Sequence, residues 1–217
     1  MVVEQEFADI YPLTEENLLE YLPDVDCRDC GFSSCPAFAE ALVTKKARAK
    51  QCTELDPVAA RLLDALLELD LPPLPYNVMM ESIPPGVIDI GSPNESSPVM
   101  VTCNFQETVR LLEKILKICG VSGYLVMSDT KGYSVDNAIE EKRFTPFEIL
   151  KAINESEIGS SVNHRNLIIP GLARHIASQI KQTTGWEILV GPVSGLELPL
   201  FLKREGLAHF GLELGEP

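Results

Sequence analysis

The sequence predicts an α/β protein in which a small helical domain is joined by a proline-rich linker to a parallel sheet of Rossmann-like or flavodoxin-like type. Three observations predict it. Short apolar runs alternate with helical stretches from residue 99 onward. Prolines crowd the segment before that, and four cysteines gather in the segment before the prolines. The expected divisions are 1–70 for the helical domain, 71–98 for the linker and 99–217 for the sheet domain.

The elements follow in order. Thr14 precedes EENLLEYL, a short helix with acidic residues in its first turn, where the helix dipole favours them. Pro36 opens PAFAEALVTKKARAK, helical in pattern, with Lys45, Lys46, Arg48 and Lys50 near its C-terminal end. These cations read as a solvated, dipole-compatible helix end, with a docking patch as the alternative. Asp56 and Pro57 cap and start DPVAARLLDALLELD, whose Leu62, Leu63, Leu66 and Leu67 form one stripe. The segment LPPLPYNVMMESIPPGVIDIGSPNESSP reads as a stiff linker, with a short strand at VIDIG. At about 3.1 Å per residue in polyproline geometry, it would let the two domains swing apart.

Beyond the linker, VMVT (99–102), YLVMSD (124–129), NLIIP (166–170) and EILVG (187–191) are strand-like. Helices are expected over 105–120, ending at Gly120, and over 171–185 and 198–206. TPFE (145–148) is a capping box with proline at the first helical position, opening a helix to about residue 156. This alternation implies parallel strands joined by right-handed crossovers, with helices on both faces.

Composition narrows the function. The chain has 217 residues, 45% hydrophobic, enough for real cores, and a net charge of −14. That charge argues against nucleic-acid binding, which needs a basic face. No apolar run approaches a membrane span, and MVVEQEFADI lacks the pattern of a signal peptide, so a cytoplasmic protein is expected. No G-x-G-x-x-G follows a strand and no G-x-x-x-x-G-K-[ST] occurs, so neither a dinucleotide nor nucleotide hydrolysis is expected.

The cysteines carry the strongest signal. CRDCGFSSC holds Cys27, Cys30 and Cys35, and Cys52 follows sixteen residues later. Disulfides are disfavoured in a reducing compartment. Zinc sites usually pair ligands as two C-x2-C doublets. Three thiols from one tight loop and one remote thiol suit a cubane iron–sulfur cluster, with zinc the remaining metal and a metal-free hairpin the bland alternative. Gly31 lets the loop wrap closely. Cys103 and Cys119 sit in apolar contexts and read as small buried hydrophobes.

Ligands of open α/β sheets bind beyond the carboxyl ends of the strands. The strands here are followed by TCNF, DTKGYSV, PGLA and GPVSG, all built from small, hydroxyl, amide or glycine residues. Such loops bring backbone close to a flat ligand, though ordinary turns use the same residues.

Two blocks carry a family resemblance. CRDCGFSSCPAFAEAL with its later cysteine resembles the N-terminal cluster domain of the large (gamma) subunit of the corrinoid iron–sulfur protein of the acetyl-CoA pathway. PVMVTCNFQETV, SDTKGYSVDNA, NHRNLIIPGLARHI and GWEILVGPVSGLELPLFL resemble that family's C-terminal corrinoid-binding domain. The resemblance implies a methyl carrier on cobalt in one-carbon metabolism, the carrier component of a corrinoid-dependent methyltransferase system. It implies a [4Fe–4S] cluster on Cys27, Cys30, Cys35 and Cys52 that returns Co(II) to Co(I). It places the corrinoid, cobalamin or a relative, among Thr102, Asn104, Phe105, Asp129, Thr130, Gly132, Ser134, Pro170, Gly171, Leu172, Gly191 and Pro192. Cys103 stands where a hydroxyl residue is expected and reads as packing. The family places a TIM barrel between the two domains, and only the proline-rich segment lies there in this chain. A methyltransferase or TIM-barrel partner protein and a low-potential electron donor are therefore the expected partners.

His164, His175 and His209 all lack the D-x-H-x-x-G context of an axial ligand, so base-off binding without a protein histidine is expected. A missing strong axial donor makes Co(II) easier to reduce, by the logic that tunes haem. The rival readings are an iron–sulfur electron-transfer or regulatory protein whose α/β domain binds another ligand, and a structural zinc module.

Overall fold

The computed structural model describes residues 10–70 and 81–210. Three helices come first: α1 (Glu15–Leu19), α2 (Cys35–Val43) and α3 (Pro57–Glu68). Thr14 caps α1 reciprocally with Asn17, and Asp56 caps α3 by accepting from the N–H groups of Val58 and Ala59. The helix expected to run to residue 50 stops at Val43. Thr44 folds its hydroxyl onto the Glu40 carbonyl, Lys45 turns left-handed at φ 58°, and Lys46 N–H returns to the Ala41 carbonyl. This helix-ending turn re-aims the chain so that Ala47 and Ala49 enter the core, which a continued helix would prevent.

The sheet has five strands: β1 (Gly86–Ile90), β2 (Val99–Cys103), β3 (Gly123–Ser128), β4 (Asn166–Ile169) and β5 (Glu187–Val190). Their order is β1–β3–β2–β4–β5, with β1 antiparallel and the rest parallel. The four parallel strands, renumbered in chain order, lie 2-1-3-4, which is flavodoxin-like. Helices α4 (Gln106–Ile118), α5 (Val135–Glu140), α6 (Pro146–Glu155), α7 (Ile158–Ser161), α8 (Ala177–Thr184) and α9 (Leu198–Phe210) complete the fold. The pattern did not announce α5 or α7, and residues 171–176 form a 3₁₀ turn rather than the start of a helix.

The expected linker is shorter than its proline content implied. Gly86–Ile90 pairs along its full length with β3, from Gly86 opposite Met127 to Ile90 opposite Gly123. Ahead of it, Ile83 N–H bonds the Asn104 carbonyl and Gln106 N–H bonds the Glu81 carbonyl. Prolines are tolerated beside an edge strand because its outer side needs no partner. Residues 71–80 lie outside the described residues.

Swinging domains were also expected, and the structure holds the helical region docked. One apolar core runs from Ile10 through Leu18, Phe38, Leu42 and Leu63 to Leu112, Leu116 and Leu200. Polar contacts reinforce it. Glu197, 5% exposed, accepts from Tyr21 Oη at 2.7 Å and from Asn17 Nδ2 at 3.1 Å. Arg204 stacks over the Tyr21 ring, and Lys203 pairs with Asp56. Burial raises the Glu197 carboxyl above its ordinary range, against the lowering effect of the Tyr21 hydrogen bond. A carboxyl raised in the folded state favours folding most at low pH and loses that contribution as pH rises. Tyr21→Phe strips a donor that favours the charged form over the neutral one. It is expected to cost about 1–3 kcal/mol at neutral pH and less well below the carboxyl range, read from denaturant midpoints at the two pH values.

Candidate functional site

The cysteine loop is coiled by its backbone. Asp24, Asp26, Arg28 and Gly31 all have positive φ, and a Cβ at Gly31 would meet nothing within 4 Å. Asp26 Oδ1 accepts from the Cys35 N–H at 2.6 Å, tying the loop's start to its last cysteine. Cys35 opens α2 behind the Ser34 cap, where the helix N-terminus favours negative charge. Cys30 and Phe32 rest against the core, and the Phe32 and Phe38 rings lie 5.3 Å apart. Cys52 is buried at the end of a 3₁₀ turn, Ala49–Gln51. Asp64 of α3 anchors that turn by accepting from Ala49 N–H at 2.6 Å.

All four thiols are free, and donor type and loop shape fit an iron–sulfur cluster. Among the described residues, however, no three His, Cys, Asp or Glu side chains are gathered to hold an ion as they stand. Cys27 is exposed while Cys52 is buried, so the loop must close over Cys52 for the four to ligate together. Cys119 belongs elsewhere, packed in the core at the end of α4, and burial pushes its thiol up to about 11. Cys103 is fully buried against Phe105 and Val135. At pH 8, iodoacetamide is expected to label Cys27 in the native protein but Cys103 and Cys119 only after unfolding. The reason is burial of both, plus a scarcity of thiolate at Cys119. Peptide mass spectrometry over time checks this.

The second candidate site lies where the strand order reverses. β2 and β4 pair only at Val99–Leu167 and Met100–Ile168, whereas β2 and β3 pair over their whole length. Beyond those pairs β2 and β4 part, and a small crevice, partly open to solvent, lies between their carboxyl ends. Its walls are mostly apolar, from Met100, Leu125, Ile168, Val135 and Leu198, with Thr102, Thr108 and Ser194 as hydroxyl-bearing residues. The Thr102 hydroxyl is buried, with a sulfur contact to Cys103 at 3.9 Å.

Of the twelve residues expected around a ligand, Thr102, Pro170, Gly191 and Pro192 line this crevice. The others shape its surroundings. Asn104 Oδ1 accepts from Thr130 N–H at 3.0 Å and Gly132 N–H at 3.1 Å, and its Nδ2 donates to the Ile83 carbonyl. Those bonds clasp the loop after β2 to the loop after β3. Partial burial opposes ionisation of Asp129, but Lys131, donating from side chain and backbone, holds the carboxyl below the ordinary range. Ser134 precedes α5, and its hydroxyl donates to Asp136 rather than capping the helix. Phe105 and Leu172 belong to the small apolar cluster around Cys103. Gly171 clasps the other two loops: its N–H bonds the Pro192 carbonyl at 2.8 Å, and a Cβ there would lie 2.7 Å from Pro192 and Val193 backbone.

Sequence reasoning missed Val193, Ser194 and Gly195 on the crevice wall, and Val135 opposite. It also missed the strap that reaches them. Tyr11 N–H donates to Ser194 Oγ at 2.9 Å, and Ser194 Oγ donates to the Tyr11 carbonyl at 2.7 Å. Ile10 packs so closely on Gly195 that a Cβ there would lie 2.5 Å from its Cδ1. No spacing links residues so far apart, although the GPVSG glycines marked the loop.

A model of the CO dehydrogenase/acetyl-CoA synthase delta subunit family matches residues 80–202, more than half of the chain. The chain belongs to this family. The delta-subunit family match covers β1 through the start of α9, so it takes in the crevice and both loop clasps. A second family model, for an Fe-S cluster, matches residues 22–54, which hold all four thiols and precede the sheet. Over 127 residues the chain is 36% identical to the acetyl-CoA decarbonylase/synthase complex subunit gamma of Methanopyrus kandleri, covering 58% of this chain and 28% of that protein. Over 104 residues it is 34% identical to the corrinoid/iron-sulfur protein large subunit of Moorella thermoacetica, covering 48% of this chain and 23% of that protein. The matches span about a quarter of the length of these relatives. Among the described residues no helix is long and apolar enough to cross a membrane.

Proposed function

We propose that the protein carries a corrinoid at the crevice between β2 and β4, beside an iron–sulfur cluster held by Cys27, Cys30, Cys35 and Cys52. The corrinoid would supply a cobalt that accepts and donates a methyl group, and the [4Fe–4S] cluster an electron returning Co(II) to Co(I). One observation carries the pairing. The loop that walls the crevice, Ser194–Gly195, is gripped by Ile10 and Tyr11, and Glu197 just beyond it is held by Asn17 and Tyr21. The cysteine-bearing region is thus built onto the edge of the ligand site.

The chain's own residues divide the work. Thr102 offers a buried hydroxyl to a polar ligand edge, while Val135, Pro192 and Val193 offer apolar contact. The crevice suits an appendage of the macrocycle rather than the ring, which would rest on the clasped loops at the strand ends. Those clasps keep the loops in place before the ligand arrives, which lowers the entropy lost on binding. Cobalt would be bound base-off, without a histidine. His164 is engaged at the opposite edge of the sheet, with Nε2 donating to the Ser97 carbonyl at 3.0 Å and Nδ1 accepting from Asn166 N–H at 3.2 Å. The methyl donor and acceptor would act from other chains, in keeping with relatives named as subunits of a complex.

The test is anaerobic reconstitution with iron and sulfide, addition of cobalamin, and gel filtration. Corrin and iron–sulfur absorbance should co-elute with the protein, and the Co(II) EPR signal should lack nitrogen splitting. Loss of the corrin bands on the column overturns the corrinoid reading. Nitrogen splitting abolished by His175→Ala overturns the ligation.

A further inference from the structure

Four cations lie close together with no acidic residue between Glu40 and Glu54: Lys45, Lys46, Arg48 and Lys50. The helix dipole would account for them if they sat in the last turn of α2, but α2 ends at Val43 and its last turn holds no basic residue. The backbone sorts this stretch by direction instead. Ala47 and Ala49 point into the core, and Lys46, Arg48 and Lys50 alternate with them on the outside, all exposed, with Lys45 exposed beside them. Arg48 pairs with Glu68. Lys45, Lys46 and Lys50 form no ion pair among the described residues. Gathering unpaired like charges costs energy that nothing within the fold repays.

Lys45 occupies the left-handed position at the helix end, φ 58°, where glycine carries no Cβ penalty, as Lys142 and Glu157 do at two other helix ends. A lysine there forgoes some stability and puts an ammonium on the surface. The patch also abuts the cluster region. Lys50 and Cys52 flank Gln51 on one 3₁₀ turn, which Asp64 anchors. Two residues of chain separate their Cα atoms by at most about 7 Å. On a protein of net charge −14, a confined basic face orients an acidic partner toward itself.

We propose that Lys45, Lys46 and Lys50 form the docking surface for an acidic electron-carrier protein, which delivers its electron beside Cys52. One electron leaves the carrier's reduced centre and enters the cluster; the carrier is oxidised, the cluster reduced, and no bond or proton moves. The proposal rests on the iron–sulfur reading above.

The test uses the full chain and a strongly acidic ferredoxin as probe. Lys45→Glu/Lys46→Glu/Lys50→Glu is compared with a control of equal charge change, Lys114→Glu/Lys117→Glu/Lys142→Glu. Ferredoxin binding by surface plasmon resonance at low ionic strength should weaken at least tenfold in the first variant, mainly through the on-rate, and little in the control. The difference should vanish at high salt. Stopped-flow reduction of the reconstituted cluster by the ferredoxin should slow in parallel, while reduction by methyl viologen radical, a small cation, should not slow. Lys45→Gly should raise the melting temperature yet weaken binding, which separates docking from folding. Equal loss in both triple variants, or none in either, overturns the surface. Tighter binding of a DNA duplex than of ferredoxin by the same lysines overturns the choice of partner. Failure of wild type to hold iron and sulfide overturns the reading beneath it, and binding is scored separately.

Discussion

Cys52→Ala should lose the iron–sulfur cluster or convert it to a form with fewer irons, whereas Cys119→Ala should keep it whole. Cys52 is the one thiol of the set supplied from outside the loop, buried and anchored through the Ala49 turn and Asp64. Its neighbour Thr53 is exposed and offers only a hydroxyl, a poor ligand for iron in such a cluster. Cys119 lies at the end of α4, and its raised thiol pKa opposes the thiolate that ligation needs. Iron and sulfide analysis after anaerobic reconstitution decides it. A full complement in Cys52→Ala would falsify the ligand set, and loss in Cys119→Ala would move a ligand into the sheet domain.

Gly171→Ala should be the most damaging single methyl in the sheet domain. The added carbon would meet backbone atoms of Pro192, Val193 and Gly191 within 2.8 Å, and backbone has no rotamer by which to yield. The loops after β4 and β5 must separate, and the Gly171–Pro192 hydrogen bond goes with them. Overpacking of this kind costs about 1–3 kcal/mol and occasionally more. Gly185→Ala is the control: it is left-handed at φ 72°, with open space around its Cβ position, so it carries backbone strain of about 1–2 kcal/mol without touching the crevice. Urea midpoints compare the two, and corrinoid retention on gel filtration tests the folded fraction. Retention should fall in Gly171→Ala and persist in Gly185→Ala. Equal retention in both would detach the clasp from ligand binding.

The parallel strands and their helices were legible because their signals are local. Val99–Cys103 and Gly123–Ser128 are short apolar runs bounded by breakers, and Thr145 and Glu148 mark a helix start by their spacing. The four-cysteine spacing was legible for the same reason. The short strand expected at VIDIG is β1, while its antiparallel place at the sheet edge beside β3 left no mark in a segment that otherwise reads as linker. The end of α2 was misplaced because helical pattern continues through residues 44–50, while burial of Ala47 and Ala49 favours turning there. Asn104 and Thr130 are expected beside a ligand, and their bond to each other across two loops is a feature no local pattern records.

By itself, then, the sequence determined most of the element types and the four-cysteine spacing, and it made the carboxyl ends of the strands the place where a ligand is expected. Only the tertiary structure decided that β2 and β4 part at the crevice, that Gly171 clasps its wall, and that Ile10 and Tyr11 bind the cysteine region to that wall. The reason is physical. Periodicity, caps and breakers act over a few residues and leave their mark in neighbouring letters. Tyr11 and Ser194, or Arg204 and Tyr21, meet only after loops of widely different length have closed. The cost of closing a loop depends only weakly on its length, so no local pattern records which partners will meet.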